Sequence, residues 1–179
     1  MRYLALLRGI NVNGHRLIPM ADLRRLCADL GYADVQTFIQ SGNVVLTAPA
    51  PAGEVAVALG AAIAARFGFD VPVVVLSLAE LEALQNANPF VLEDLEPRAL
   101  HVTVFAEAPS ADRAQALDWE RFRPERGAVA GRWLYLYCPN GYHTARLNNG
   151  FLERTLGVPA TTRNWQTIGR LWRLASAPV

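Results

Sequence analysis

Two apolar runs too short for helices, Tyr3 to Leu7 and Val71 to Leu76, bracket two helical stripes and a polar turn. That arrangement restricts the fold more than any other feature of the chain. The first run reads as a buried strand. After a loop with Gly9 and Gly14, Pro19 suits the first turn of a helix, where its missing N–H has no helical partner anyway. Met20, Leu23, Leu26, Cys27 and Leu30 follow at helical spacing, with Gly31 placed to end the helix. Val35 to Ile39 reads as a strand, Ser41-Gly42 as a turn and Val44 to Thr47 as the returning strand. A second stripe, Val55, Leu59, Ala62, Ile63 and Phe67, ends at Gly68, before the β-branched Val71 run. The order β-α-β-β-α-β is the ferredoxin-like split arrangement. Ser77 and Glu80 then form a capping-box pair for a trailing helix, which Asn88-Pro89 closes.

The second half repeats the order without a residue-level repeat. Leu100 to Phe105 reads as a strand, and Ser110 caps a helix through Leu117. Gly127 to Ala130 and Trp133 to Tyr137 flank Gly131-Arg132 as a hairpin. Leu147, Phe151 and Leu152 share a helix that ends near Gly157, and a short extended stretch reaches Thr162. Asn164 caps a last helix bearing Trp165, Ile168, Leu171 and Trp172. The fold class expected is α+β: two consecutive ferredoxin-like β-α-β-β-α-β units, each followed by a helix. The halves are 1–88 and 89–179, packed as one globular unit.

A chain of 179 residues builds a core without disulfide staples, and its apolar fraction of 52% marks it as globular. With 17 Lys+Arg against 16 Asp+Glu, the formal charge of +1 leaves no broad positive field for non-specific nucleic-acid binding, though a local basic pocket stays open. Cys27 lies on an apolar helix stripe and reads as a small buried hydrophobe; Cys138 ends a strand beside Pro139. The N-terminal apolar run is cut off by Arg8 before it reaches signal-peptide length, and no stretch approaches the roughly 20 residues of a membrane span. The expected location is the cytoplasm, with no membrane partner. His15, His101 and His143 are scattered and neither cysteine has a CxxC partner, so no metal site is expected.

Two polar clusters are candidates for chemistry. In a split β-α-β unit, the end of the first strand lies beside the start of the third. That places Arg8 and Asn11 near Gln40, Ser41 and Asn43. A guanidinium fork, amides and a hydroxyl there suit a phosphate, a carboxylate or a nucleobase edge. The alternative is that Ser41 and Asn43 build the hairpin turn and Arg8 pairs with an acid. Gly9 to Gly14 matches neither a Walker loop nor a dinucleotide fingerprint, although it precedes a helix N-terminus that favours an anion. The second cluster joins Asn140, Tyr142, His143, Thr144 and Arg146 with Thr161, Thr162, Arg163, Asn164 and Trp165. It offers two arginines, two helix N-termini and aromatics for stacking, as an anion or nucleotide pocket would. Here too the residues have structural alternatives, with Asn164 an N-cap and Trp165 core. No carboxylate belongs to either cluster, and His143 is their one imidazole.

These segments resemble a known family. Ala5-Leu6-Leu7-Arg8-Gly9-Ile10-Asn11-Val12, Pro19-Met20-Ala21-Asp22-Leu23 and Ile39-Gln40-Ser41-Gly42-Asn43-Val44 closely resemble the bacterial domain of unknown function 1697 family. So do Thr162-Arg163-Asn164-Trp165 with Thr167, and Gly141 followed by Leu147. The chain departs from the pattern at Asn13, where a second glycine is common, and at Ala145-Arg146, where Ser-Lys is usual; Arg146 keeps the charge. The resemblance implies site positions and no activity. Three roles remain open. The first is binding of a small phosphorylated or nucleotide-like anion, with Arg8 and Arg163 on the anion and Asn11, Gln40, Asn43 and Asn164 orienting it. The second is a nucleic-acid module, ranked lower because the strand Val44-Val45-Leu46 carries no aromatic. The third is a structural or protein-interaction role. Cofactor and enzymatic activity are left open.

Overall fold

The computed structural model describes residues 1–178 as a mixed α+β protein with two four-stranded antiparallel sheets. By compactness the chain divides into a first unit, residues 1–83 with the segment from Arg170 onward, and a second unit, Leu84–Gly169.

In the first unit, β1 (Arg2–Leu7), α1 (Met20–Asp29), β2 (Ala33–Phe38), β3 (Asn43–Thr47), α2 (Ala52–Phe67) and β4 (Val73–Ser77) follow in order. The sheet runs β2-β3-β1-β4. α1 and α2 cover one face, where Tyr3, Ala5, Leu7, Leu23, Cys27, Leu46, Leu59 and Ile63 form the core. Residues of the other parity, Leu4, Leu6 and Val45, are buried as well. Burial on both faces explains why β1 reads as an uninterrupted apolar run rather than an alternating one. Each such leucine stabilises the fold by about 1.5–3 kcal/mol. Pro19 sits one position earlier than expected, as the residue that caps α1. β2 stops at Phe38, because Ile39 turns to a φ of 50°. α3 (Leu78–Asn86) opens on the expected capping box: Ser77 N–H donates to Glu80 Oε2 at 2.9 Å, and Glu80 N–H donates back to Ser77 Oγ at 3.2 Å.

The second unit contains β5 (Leu100–Phe105), α4 (Ala111–Gln115), β6 (Arg126–Ala130), β7 (Trp133–Tyr137), α5 (Asn149–Leu156) and β8 (Ala160–Asn164). Its sheet runs β6-β7-β5-β8 around a core of Phe105, Leu134, Leu136, Leu152 and Leu156. Two helices are shorter than expected. α4 stops at Gln115, and Leu117 packs into the core from beyond its end. α5 starts after Leu147, because Asn148 accepts a bond from Phe151 N–H at 3.1 Å and caps the helix there. The last helix, α6 (Trp165–Ser176), begins as expected, with Gln166 N–H donating to Asn164 Oδ1 at 2.9 Å.

Candidate functional site

The first cluster comes together as its topology requires. Leu6 pairs with Asn43, and Leu7 N–H donates to the Gly42 carbonyl at 2.8 Å. Most of its polar groups are spent on the fold. Asn11 donates to the carbonyls of Ile18 and Gln40 at 3.0 and 2.8 Å, and its Oδ1 accepts from Ile18 N–H at 2.8 Å. Its amide therefore closes the base of the 9–18 loop and ties that loop to the β2–β3 turn. Asn43 is fully buried and donates to the Phe38 carbonyl and to Ser41 Oγ. Arg8 is half-buried, and its backbone N–H donates to the Pro72 carbonyl at 3.0 Å. Gln40 is exposed, with a side chain unbonded among the described residues.

Strand alternation divides the second cluster. Thr162 pairs with Thr103 across β8 and β5; their hydroxyls lie 2.6 Å apart, and Thr162 also donates to Asn149 Oδ1 at 2.7 Å. Its neighbour Arg163 points to the opposite face, 9% exposed, and donates to Thr161 Oγ1 at 2.7 Å and the Thr162 carbonyl at 3.0 Å. Burial pulls its guanidinium down to about 10, with Tyr142 opposing the shift. Asn164 caps α6 and donates to the Arg98 carbonyl. Arg146 lies over the Phe122 ring, donates to the Arg123 carbonyl and sits 3.8 Å from the Glu125 carboxylate, an acid absent from the sequence-based cluster. Asn140 and His143 remain exposed, with side chains unbonded among the described residues.

His101 is the imidazole with a defined setting. It is buried, its ring stacks on Tyr142 at 5.0 Å, and its Nδ1 lies 3.2 Å from the Ala99 carbonyl, a bond that needs the proton on Nδ1. Burial lowers its pKa below the ordinary 6.5, and the carbonyl opposes that only partly. The unfolded chain therefore binds the proton more readily than the folded one. The stability this group contributes is complete above pH 6.5 and is lost as pH falls from there through the lowered folded value. Melting temperature should accordingly drop from pH 6.5 downward, and His101→Phe should flatten that drop. Parallel slopes in wild type and variant would refute the assignment.

The cavities differ in charge. In the second unit, a cavity of about 580 Å³ lined by Phe90, Trp119 and Arg126 shares Arg123, Pro124 and Glu125 with one of about 310 Å³ that reaches Asn140, Thr144 and Arg146. Each arginine there has a glutamate: Arg123 with Glu120 at 2.8 Å, Arg126 with Glu93 at 2.7 Å, Arg146 with Glu125. In the first unit, a cavity of about 540 Å³ is lined by Phe38, Arg170, Arg173, Leu174 and Ala177, with no acid among them. Arg170 lies over the Phe38 ring at 6.0 Å and has no acidic partner among the described residues. From the sequence, this part of α6 reads as an ordinary helix surface. The usable signal is the lack of any Asp or Glu after Glu153, together with an uncharged stretch from Val35 to Gly53 that contains Phe38.

Among the described residues, no helix is long and apolar enough to cross a membrane, and no group of three or more His, Cys, Asp or Glu side chains converges as a metal site would require. No curated protein matches the chain. The structure of the conserved bacterial protein SP0830 from Streptococcus pneumoniae is similar, with a TM-score of 0.77, 23% identity and 98% of each chain covered, a likeness of fold. Residues 1–135 match the sequence profile of a protein family of unknown function, and they include the Arg8-Gly9-Ile10-Asn11 and Gln40-Ser41-Gly42-Asn43 segments. The chain belongs to that family, DUF1697.

Proposed function

We propose that the chain binds a small phosphorylated or nucleotide-like anion in the cavity between Phe38 and the α6 residues Arg170 and Arg173. The supporting observation is that no acid lines this cavity and Arg170 has no acidic partner among the described residues, whereas Arg123, Arg126 and Arg146 around the second unit's cavities each face a glutamate. The volume of about 540 Å³ lies in the range of small-ligand sites, roughly 300–1,000 Å³. Phe38, Leu174 and Ala177 offer an apolar floor. Arg170 resting on Phe38 gains about 0.5–1 kcal/mol as an exposed cation–π contact. A charge-assisted bond to an oxyanion gains about 1.5–3 kcal/mol, so a ligand draws the guanidinium to itself. Gln40, two residues beyond Phe38 and unbonded among the described residues, is the member of the first polar cluster best placed in sequence to join in.

We also read both halves, 1–88 and 89–179, as ferredoxin-like units. The strand order in each, second-third-first-fourth, supports this.

A thermal-shift screen of nucleotides and sugar phosphates tests the site. A ligand at 100 times its Kd stabilises the fold by ~2.7 kcal/mol. Arg170→Ala should weaken binding about 10- to 100-fold, the equivalent of one charge-assisted bond. A stabilising ligand whose affinity survives Arg170→Ala and Phe38→Ala would place the site elsewhere. Binding of single-stranded RNA with a steep salt slope would reassign the cavity to nucleic acid.

A further inference from the structure

We propose that this chain associates with a second copy of itself, the loop tip of one copy seating on residues 91–96 of the other. Five of the seven exposed large hydrophobics among the described residues fall in two patches of opposite charge. The first patch holds Val12, Leu17 and Ile39, each more than half exposed. Asn11 bridges the 9–18 loop to Gln40, so the three side chains belong to one built surface. Its charged groups are Arg8 and Arg16, and no acid occurs in residues 1–21 or 35–53. Ile39 is held at φ 50°, a conformation costly for a β-branched residue, in an exposed turn where no core packing requires it.

The second patch pairs Val91 and Leu92, 48% and 92% exposed, with Glu93, Asp94 and Glu96. It is rigidly mounted. Phe90 is buried beneath it, Asn88 accepts from Phe90 N–H at 3.0 Å, and Glu93 grips Arg126 through two bonds of 2.7 Å. Glu96 pairs with Arg98 at 3.2 Å, so Asp94, which has no partner among the described residues, carries the patch's open negative charge. Contiguous exposed apolar patches, especially those rimmed by polar groups, mark interaction surfaces. Here one patch is apolar with arginines, and the other is apolar with the open carboxylate of Asp94, so a second copy supplies the complement of each. When both contacts form within one pair the assembly closes; when one forms, it extends.

Analytical ultracentrifugation over a concentration series tests the proposal. Wild type should associate at low (~50 mM) salt and less at ~500 mM, where screening shortens the reach of charge. Arg16→Glu and Asp94→Arg should each be monomeric. Mixed in equal amounts, they should associate again, because the reversed tip meets the reversed segment and the unaltered pair stays complementary. Leu92→Ser should weaken association at both salts. A wild type that stays monomeric throughout would overturn the proposal, as would single variants that still associate or a mixture that does not. A monomeric wild type that binds anionic vesicles through the tip would also overturn it, assigning the surface to lipid.

Discussion

Gly42→Ala should destabilise the protein by about 2–5 kcal/mol, the largest effect of any glycine-to-alanine change in the first unit. Gly42 has a φ of 76°, where an L side chain costs roughly 1–2 kcal/mol. The added Cβ would also lie 2.7 Å from Leu7 Cβ and 2.8 Å from Ile10 Cδ1, both on buried residues. Leu7 Cβ is fixed to the β1 backbone and the Ile10 side chain is buried, so β1 and the turn must part. Overpacking of this kind adds about 1–3 kcal/mol. Gly31→Ala is the control. Its φ is 79° and nothing lies within 4 Å of the point its methyl would occupy, so it should cost only the backbone term of about 1–2 kcal/mol. Urea denaturation of both variants separates the two contributions. Equal losses would show that the Leu7–Ile10 contact relaxes without cost. Against a total stability of about 5–15 kcal/mol, the larger loss is a substantial fraction of the fold.

The same contact shows what was legible in the sequence. Placing the end of β1 beside the start of β3 needed only the element order, and Leu6 does pair with Asn43. Local signals carried their own weight: the Ser77–Glu80 capping box and the Asn164 cap act within three residues of themselves. Boundaries failed where two signals competed. Leu147 and Phe151 stand at helical spacing, yet Asn148 between them caps α5, so Leu147 is core outside the helix. At the candidate sites, residue type suggested binding chemistry while the fold had already used the groups. Asn11 and Asn43 bond backbone carbonyls, and period-two alternation turns Arg163 away from Thr162. Arg170 was not legible as a site residue, because its partner Phe38 lies 132 residues earlier and only the tertiary fold brings them together.

Glu125 is the other residue whose role no local pattern announces, and its replacement carries the second large effect. Its Oε1 accepts from Arg146 N–H and its Oε2 from Leu147 N–H, both at 2.9 Å. The carboxylate thereby fastens the segment before α5 to the start of β6. Leu147 is fully buried, so its N–H, once orphaned, bears the whole desolvation penalty of about 1–3 kcal/mol. Arg146 is exposed, and water recovers part of its lost bond. Glu125→Ala should therefore cost about 2–4 kcal/mol. Glu125→Gln should cost nearly as much, because the amide keeps one acceptor and turns an NH2 donor toward the other N–H. Arg146→Ala is the discriminating comparison. Its ion pair with Glu125 spans 3.8 Å with the arginine side chain 55% exposed, and exposed pairs contribute about 0–1 kcal/mol. If charge attraction held the two segments together, Arg146→Ala and Glu125→Gln would lower the urea midpoint alike. If the backbone bonds do, Glu125→Gln falls close to Glu125→Ala, Arg146→Ala stays near wild type, and amide exchange at Leu147 accelerates only in the Glu125 variants.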